Sequence, residues 1–538
     1  MFINFCFPLQ HTHTQELITC SCGTSEGQGK YIPYFDGLKT GTLEVARIAS
    51  SYINQAYPLS SGAKVVEFLF SGKLSTTISG LRLAYASTHL IYDDTYKMRQ
   101  QIRGLTACSP DEVVFATSFE QGMYCYLLCG LVHRDDVEVL TAVFAHTLVE
   151  ALRMLEIEWQ SLCHDIRFGL LNENRVTDPS LRAAMMSKVL TCGNAHCANQ
   201  VAAICEEKSS QCAWNGIIKR LWPRCKYVLS IMTGSMEAYV ETLQAYAGED
   251  VPLVSADYGA SEGWIAANIN PRSPPHQVSF TTIPTLGYFE FLPLSIVVEN
   301  AKDAPSSSPS TDQLGRLHTS HLEATPINLD EVKLGHEYQI VMTTTGGLYR
   351  YVLEDMLRVT GFFHDNPQFA YVCRKNVILS INVDKVSEED LKLAVQKAAS
   401  VLRRRQSTMK LVEYSSYANT DNAYGHYVIF WEVQGGGETI NSLENQRLLV
   451  ECATLMDENF FEAGYVLSRK TGTIRPLELC IVKQGTFRRL MESFLVDKVG
   501  ASITQFKTPR CINSKHFRAI LSILQQNTIA SYFSSATF

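Results

Sequence analysis

The chain of 538 residues has no excess of positive charge, because its 47 Lys and Arg are outnumbered by 54 Asp and Glu, which gives a net charge of −7. A mildly acidic chain exerts no electrostatic attraction on duplex nucleic acid or on an anionic membrane. Its longest basic run is only Arg403-Arg404-Arg405. We therefore expect neither a nucleic acid nor a membrane among its partners.

Long hydrophobic runs and paired cysteines are also missing from the sequence. No apolar run reaches the length of a membrane-spanning helix. The apolar start, residues 1–8, is short and has no basic region, so we do not expect a signal peptide. The 16 cysteines are scattered, without the CxxC pairs of a structural zinc site. Free thiols are typical of a reducing compartment, so we expect a cytoplasmic protein.

Hydrophobic residues make up 46% of the chain and charged residues 19%, which is enough apolar material for the cores of several domains. Strand-length apolar segments such as 65–70 alternate with helical patterns such as 148–159, which predicts α/β domains. The Ser- and Pro-rich residues 299–328 predict a disordered insertion. The predicted division is a large N-terminal domain at 1–368, a hinge at 369–374 and a small C-terminal domain at 375–538.

A glycine-rich segment, residues 21–30, follows a predicted short strand at 17–20. Its three glycines allow a tight turn in which amide N–H groups and hydroxyls converge on an anion. It is not a Walker A loop, because Thr24 replaces a glycine and Tyr31 replaces the Ser or Thr that would hold magnesium. A phosphate loop and a plain surface turn both remain possible interpretations. The candidate phosphate-binding residues are Ser21, Cys22, Gly23, Thr24, Ser25 and Lys30.

A second segment, residues 258–264, follows a predicted strand at 251–255 and has two incompatible interpretations. Gly259-x-Ser261-x-Gly263 matches the nucleophile elbow of a hydrolase, with Ser261 as the nucleophile. The other interpretation is an adenylate pocket, in which the backbone holds a purine and Glu262 faces a magnesium ion. Spacing alone leaves both open, together with a plain turn. The absence of a His-Gly-Gly-Gly segment argues against the hydrolase.

Two further segments carry single candidate residues. Residues 348–355 predict an aromatic strand that ends in Glu354 and Asp355, and a carboxylate at a strand end can accept hydrogen bonds from a ribose diol. A solvated acidic turn is the alternative. Near the C terminus, Lys507 lies in residues 505–510, where a single lysine would ordinarily be a surface residue.

In order and spacing, these four segments resemble the plant acyl acid amido synthetases of the auxin-responsive Gretchen Hagen family, within the firefly-luciferase-like adenylate-forming superfamily. The resemblance covers nearly the whole chain, and it is most similar to the jasmonate-conjugating branch through residues 263–268 and 376–382. It implies an α/β adenylate-forming fold with a small mobile C-terminal domain, and a monomer. The other matching segments are residues 107–113, 231–236, 287–293 and 507–511.

The resemblance implies an ATP- and Mg²⁺-dependent ligase whose small-molecule partners are a jasmonate-like acid and an amino acid, with indole-3-acetate or a benzoate as other possible acids. The acid would attack the α-phosphate and expel pyrophosphate, and the amine would then displace AMP. Asp355 would bind the ribose, and Lys507 would swing in to meet the developing phosphate charge. The implied purine- and metal-binding residues are Tyr258, Gly259, Ala260, Ser261 and Glu262, with Glu262 on the metal.

The resemblance also implies an acyl pocket whose residues depart from the jasmonate pattern. Ala46 and Thr141 replace phenylalanines and Ala256 replaces a histidine, so a larger or differently shaped acid is expected to fit. Thr42 and Ala46 could equally be a helix face in the core. The implied pocket residues are Thr42, Ala46, Thr141, Val143, Ala256 and Trp264.

Departures in the nucleotide segments favour a second hypothesis, a catalytically impaired homologue that binds nucleotide or acyl acid. The loop begins at residue 21, so the family's N-terminal extension is expected to be absent. Cys22 replaces a serine, and Thr345 stands where an aromatic residue is usual. In the family's usual Arg-x-Gly-Asp motif, this chain has Val352 in place of the arginine and Glu354 in place of the glycine. A positive charge is therefore lost and a negative charge is added. An esterase that uses Ser261 is the third hypothesis.

Overall fold

The computed structural model describes most of the chain, in segments. The described residues are 17–20, 31–34, 36–72, 74–206, 214–293, 325–374, 378–381, 384, 386–405, 409–420, 424–435, 442–497, 506–512 and 518–538. Among the helices that these residues form, none combines the length and the apolar character that crossing a lipid bilayer requires.

The helices begin and end where the sequence supplies caps. Before α11, the Ser387 hydroxyl accepts a hydrogen bond from the Asp390 amide (3.2 Å) and the Asp390 carboxylate accepts one from the Ser387 amide (3.1 Å). Gly169 ends α6 with a left-handed φ of 63°. The helices are α1 Asp36–Ala56, α2 Ala86–Tyr92, α3 Thr95–Arg103, α4 Asp111–Val114, α5 Phe119–Val132, α6 Ala145–Phe168, α7 Pro179–Lys188, α8 Ala195–Glu206, α9 Ile217–Leu221, α10 Val240–Ala247, α11 Glu388–Arg404, α12 Leu443–Glu458, α13 Ala463–Lys470, α14 Thr486–Asp497 and α15 Arg518–Gln526.

The strands pair into five sheets within the described part of the chain. In chain order the strands are β1 Leu17–Cys20, β2 Tyr31–Pro33, β3 Lys64–Phe68, β4 Ser75–Thr76, β5 Arg82–Ala84, β6 Thr106–Ala107, β7 Val137–Phe144, β8 Tyr227–Ile231, β9 Leu253–Val254, β10 Asp257–Ala260, β11 Gly263–Ala267, β12 Phe280–Thr282, β13 Tyr288–Pro293, β14 Ile327–Asn328, β15 Glu337–Thr343, β16 Tyr351–Phe363, β17 Asn366–Arg374, β18 Ile378–Leu379, β19 Val386–Ser387, β20 Lys410–Asn419, β21 His426–Gln434, β22 Glu478–Val482, β23 Cys511–Ile512 and β24 Thr528–Phe533.

A five-stranded parallel sheet forms the centre of the N-terminal part, in the order β6-β3-β7-β8-β9. Both of its faces are covered, as parallel sheets require. One face packs against α5 and α6 in the largest core of the described residues. The other packs against α1 through Val45, Ala49 and Ile53, which recur at helical spacing. The predicted strand at 65–70 and helix at 148–159 are therefore confirmed as β3 and α6.

A second large sheet is antiparallel and has eight strands in the order β10-β11-β12-β17-β16-β15-β13-β14. The predicted end of a strand at Asp355 is wrong, because β16 runs on to Phe363 and Asp355 lies inside it. The residues of the predicted hinge, 369–374, belong to β17, which pairs with β12 and β16, and the predicted domain division stays a prediction. Residues 299–324 of the predicted insertion lie outside the described residues, whereas Ile327–Asn328 is strand β14.

The C-terminal part has a mixed sheet of its own, in the order β23-β20-β21-β22-β24. Its two faces bury separate hydrophobic clusters, one of which includes residues of α11 and α12 and the other residues of α14 and α15. Two residues of the C-terminal part, Met491 and Phe506, pack instead in the hydrophobic core of the N-terminal part. The C-terminal part is therefore seated on the N-terminal part in this structure. The remaining described strands form a small sheet, β2-β1-β5-β4, and a pair, β18-β19.

Candidate active site

The glycine-rich segment is flanked by two strands that pair with each other. Strands β1 and β2 are antiparallel, and Cys20 lies opposite Tyr31. The six candidate phosphate-binding residues, between positions 21 and 30, lie outside the described residues. Their role stays a prediction.

The segment that contains Ser261 is the tip of a hairpin. Strands β10 and β11 are antiparallel, with Ala260 opposite Gly263, so that Ser261 and Glu262 form the turn. A nucleophile elbow needs a strand, a sharp turn and then a helix. The Ser261 hydroxyl donates to Glu262 Oε2 (2.9 Å), and no hydrogen bond between Ser261 and a histidine occurs among the described residues. The hydrolase interpretation depends on a helix after the turn, and this hairpin has a strand there instead.

The hairpin needs a glycine at position 259 because the ring of Trp264 packs against it. A Cβ atom at Gly259 would lie 2.7 Å from Trp264 Cε3, closer than any real contact. The register also shifts between Tyr258 and Gly259. The glycine at position 259 is thus explained by the Trp264 ring that packs against the backbone as well as by a hydrolase motif.

Two of the predicted nucleotide segments meet in a direct hydrogen bond, although 97 residues separate them. The Tyr258 hydroxyl donates to Asp355 Oδ2 (2.7 Å), and Arg374 Nε donates to Asp355 Oδ1 (3.0 Å). Asp355 is 5% exposed. Burial is the main cause that raises the pKa of the Tyr258 phenol well above its usual value, and the negative charge of Asp355 raises this pKa further. The phenol therefore stays protonated and donates the hydrogen bond. A carboxylate has about four acceptor positions, so Asp355 can still accept from the hydroxyls of a ribose.

Val352 and Glu354, the two residues of the ribose segment that differ from the usual motif, lie on the face of the sheet opposite to Asp355. Along β16, Leu353 and Asp355 are buried, whereas Val352 is exposed and Glu354 is half-buried. Side chains alternate between the faces of a strand, so Val352 and Glu354 face away from Asp355. The charge of Glu354 is therefore not directed at the group that Asp355 would bind.

Lys507 is placed against the N-terminal part, where β7 ends. Its Nζ atom lies 4.8 Å from the ring centroid of Phe144, the last residue of β7. The preceding residue, Phe506, is buried in the core of the N-terminal part, with its ring 6.4 Å from that of His146. The C-terminal lysine is therefore held at the carboxyl end of the parallel sheet, where ligands of open α/β sheets bind.

Arg510, in the same segment as Lys507, binds residues of both the C-terminal and the N-terminal part. Its Nη1 atom pairs with the Glu413 carboxylate and donates to the Tyr414 carbonyl (2.7 Å). Its Nη2 atom donates to the Ser235 carbonyl (3.1 Å), which belongs to a 3-10 helix of the N-terminal part. The arginine thus joins the C-terminal sheet to the N-terminal part.

Glu388, the first residue of α11, is influenced by the charges of both Lys507 and Arg374. Burial raises the pKa of the Glu388 carboxyl, and the positive charges of Arg510, Arg374 and Lys507 act against this rise. Arg374 is the residue that binds Asp355. The charges of Arg374 and Lys507 thus both act on Glu388, and Glu388, Arg374 and Arg510 were not singled out from the sequence.

The predicted acyl-pocket residues come together in part. Trp264 Nε1 donates to Thr42 Oγ1 (2.8 Å), which joins the hairpin to α1. Ala46 lies one helical turn after Thr42 and is buried, and Ala256 belongs to the cluster that α1 covers. Thr141 is buried on β7.

Val143 is the exception among these residues. It packs partly against a neighbouring cluster made of Leu69, Ile91, Tyr96 and Val114. Of the six predicted pocket residues, the structure thus places Thr42, Ala46, Ala256 and Trp264 around α1, with Thr141 on the sheet beneath.

Nothing among the described residues forms a group of three or more His, Cys, Asp or Glu side chains that could hold a metal ion alone. Glu262 is 4% exposed and offers a carboxylate at the hairpin tip. Magnesium is usually bound by one or two carboxylates together with substrate phosphates. A single carboxylate at this position fits that mode of binding.

Comparison with known proteins gives consistent matches over nearly the whole chain. Three family models match in order: the GH3 family N-terminal domain at residues 11–253, its central domain at 280–374 and its C-terminal domain at 389–516. The jasmonoyl–L-amino acid synthetase JAR4 of Nicotiana attenuata is 41% identical over 519 residues, which are 96% of this chain and 83% of that protein. The indole-3-acetic acid-amido synthetase GH3.10 of Arabidopsis thaliana is 39% identical over 526 residues, 97% of this chain and 84% of that protein.

A solved structure shares the fold. The acyl acid amido synthetase AtGH3.15, in complex with 2,4-DB, has a TM-score of 0.79 and 34% sequence identity, and the match covers 97% of this chain and 84% of that chain. The predicted α/β fold class, that of an adenylate-forming enzyme with a large N-terminal and a small C-terminal domain, is confirmed by this agreement.

Proposed function

The chain belongs to the GH3 family, and from this premise we propose that it is an ATP-dependent acyl acid amido synthetase that joins a jasmonate-like acid to an amino acid. The observation that carries the proposal is the hydrogen bond between Tyr258 and Asp355, together with the position of Lys507 over Phe144 at the end of β7. Relatives that act on jasmonate and on indole-3-acetate by name support the reaction class. The proposal includes a monomer in the cytoplasm.

The roles of individual residues are part of the proposal. Tyr258 and Arg374 hold Asp355 in place, so that its remaining acceptor positions receive the ribose hydroxyls. Glu262 holds Mg²⁺, which neutralises phosphate charge when bound. Lys507 faces the phosphate charge that develops as pyrophosphate leaves. The reaction needs no protein nucleophile, so Ser261 supports Glu262 through its hydrogen bond.

The first half-reaction can be tested by itself, because activation of the acid is reversible. We expect labelled pyrophosphate to exchange into ATP only when an acid is present, with jasmonate, indole-3-acetate and a benzoate as the test acids. Formation of the amide on addition of amino acids tests the second half-reaction. If folded protein shows no exchange while calorimetry still detects ATP binding, the impaired homologue is correct. Labelling of Ser261 by a fluorophosphonate would instead support an esterase.

The double substitution Val352→Arg and Glu354→Gly restores the usual residues of the ribose segment. Because both side chains face away from Asp355, we expect the exchange rate to stay within about twofold of the unsubstituted protein, as for surface changes in general. The measurement is acid-dependent pyrophosphate exchange, with Asp355→Asn as the matched control in the same strand. A rise of about tenfold or more would show that the altered charges do impair activity.

A further inference from the structure

A short 3-10 helix, Gly234–Tyr239, follows strand β8 at the carboxyl end of the parallel sheet. Two residues of the C-terminal part form polar contacts with it. Lys392 Nζ of α11 pairs with Glu237 Oε2 (2.7 Å), and the Arg510 guanidinium donates to the Ser235 carbonyl. The C-terminal part thus binds this helix at two points, through two different elements.

The first residue of the 3-10 helix packs beside the proposed ribose site. Gly234 has a left-handed φ of 62°, and a Cβ atom there would lie 3.0 Å from Tyr371 Cε1. The Tyr371 ring lies 6.4 Å from the ring of Tyr258, which donates to Asp355. The backbone of the helix therefore contacts the aromatic residues that lie next to Asp355.

The last residue of the 3-10 helix packs beside the neighbours of Lys507. The ring of Tyr239 lies 5.1 Å from that of His146 in an edge-to-face arrangement, and His146 in turn lies 6.4 Å from the ring of Phe506. Phe506 directly precedes Lys507 in the chain. One short helix thus contacts the surroundings of the ribose site at one end and the surroundings of the lysine at the other.

The ion pair of Lys392 with Glu237 is partly shielded from solvent. The two side chains are 18% and 28% exposed, whereas Arg488 and Glu120, which form a second ion pair between the two parts, are 42% and 62% exposed. Water and salt screen a partly buried pair less than an exposed one, so we expect the Lys392 pair to be the stronger of the two. Glu237 Oε1 also accepts from the Gly234 amide (3.2 Å), which holds the carboxylate against its own helix.

We propose that Lys392 and Glu237 are positioning residues, whose ion pair fixes the 3-10 helix Gly234–Tyr239 and thereby sets the position of Lys507 relative to the nucleotide. Glu389 of α11 also binds the Lys392 ammonium (3.0 Å), so the ammonium is held between two carboxylates. A displacement of about 1 Å can lower a rate about 10²-fold, so a small movement of the helix is sufficient. This inference rests on the proposed function, because it concerns residues that support the same site.

The test is a double-mutant cycle of acid-dependent pyrophosphate exchange with Lys392→Met, Glu237→Gln and both changes together. Glutamine keeps an acceptor for the Gly234 amide. We expect each single variant to lower the maximal exchange rate about tenfold and to leave the KM for ATP within about twofold of normal. Because both changes remove the same contact, the double variant should be no slower than either single variant. Lys392→Arg keeps the charge and should recover most of the rate.

Lys397→Met is the matched control, because Lys397 is exposed on the same helix and donates to Asn459 Oδ1 (2.6 Å) within the C-terminal part. We expect it to keep the normal exchange rate. Amide hydrogen exchange measured by mass spectrometry is a second readout, which does not depend on catalysis. In Lys392→Met we expect faster hydrogen exchange in peptides that cover residues 234–239 and 506–511, and in Lys397→Met we expect no change there.

Two results would overturn the inference. One is a maximal rate of pyrophosphate exchange within about threefold of normal in both single variants, or losses that add up in the double variant. The other is faster hydrogen exchange at residues 234–239 alone, with normal pyrophosphate exchange, which assigns the ion pair a purely structural role.

The two readouts also separate this inference from the proposed function. Pyrophosphate exchange that is normal and insensitive to Lys392→Met supports the amido synthetase and refutes the positioning role. An unsubstituted protein without pyrophosphate exchange refutes the synthetase. In that case, faster hydrogen exchange of both peptides in Lys392→Met still supports the connection between the 3-10 helix and the Lys507 segment, and unchanged exchange at residues 506–511 refutes it.

Discussion

Replacing Lys507 by alanine is expected to lower the rate of acid-dependent pyrophosphate exchange by about 10²–10³-fold, the range for removing one group that stabilises charge in a transition state. The lysine is half-buried over the Phe144 ring and lies at the carboxyl end of the parallel sheet. In the proposed reaction, negative charge moves onto the departing pyrophosphate. A fixed positive charge at that position stabilises the transition state more than it stabilises the bound substrates.

The fold should tolerate this substitution, because the Lys507 ammonium contacts an aromatic ring, an interaction worth about 0.5–2 kcal/mol. A melting temperature within a few degrees of the unsubstituted protein would show that the loss is catalytic. Lys470→Ala is the matched control, since Lys470 is exposed at the end of α13. Exchange by Lys507→Ala within about threefold of normal would contradict the role of the lysine.

Much of the fold can be predicted from local patterns in the sequence. The buried apolar run of β3 and the helical repeat of α6 each have one periodicity over their full length, so the sequence identifies them directly. The hairpin of β10 and β11 was harder to predict, because Gly-x-Ser-x-Gly constrains the turn itself and leaves the next element of secondary structure undetermined. A helix after the motif would indicate the hydrolase, whereas the structure has strand β11 there.

The position of Asp355 shows where local reasoning fails. Two adjacent carboxylates suggest the end of a strand, but the strand continues because Arg374 on β17 neutralises Asp355 and Tyr258 satisfies its other oxygen. These partners are 19 and 97 residues away in sequence. Only the pairing of β16 with β17 brings Arg374 opposite Asp355.

The charged residues of the site were missed for a similar reason. Arg510 belongs to the same short segment as Lys507, and its proline neighbour gave no sign that the arginine would be buried. Glu413 is one acidic residue in a β-strand, with no pattern that links it to a segment almost a hundred residues later. A buried ion pair has no sequence signature, because each partner alone looks like a surface residue.

Replacing Arg510 by methionine is expected to lower the free energy of unfolding of the C-terminal part by about 3–5 kcal/mol, since it leaves the Glu413 charge buried without its partner. The two side chains are 2% and 5% exposed. Thr508 Oγ1 also donates to Glu413 Oε2 (3.1 Å), but a hydroxyl does not neutralise the charge. Urea denaturation compared with the unsubstituted protein measures the difference.

The double variant Arg510→Met with Glu413→Gln separates two effects on the free energy of unfolding: the destabilisation by the unpaired Glu413 charge and the stabilisation by the ion pair itself. A neutral amide no longer requires a cation, so we expect the double variant to recover more than half of the lost stability. Arg405→Met is the control, because its pair with Glu451 is exposed and worth at most about 1 kcal/mol.

Arg510 also donates to the Ser235 carbonyl, so the double variant should recover stability without recovering the contact between the two parts of the chain. Pyrophosphate exchange then reports on that contact: we expect it to stay about tenfold below normal in the double variant, because Lys507, three residues away, depends on the same segment for its position. Full recovery of exchange together with stability would show that Arg510 serves only to pair with Glu413.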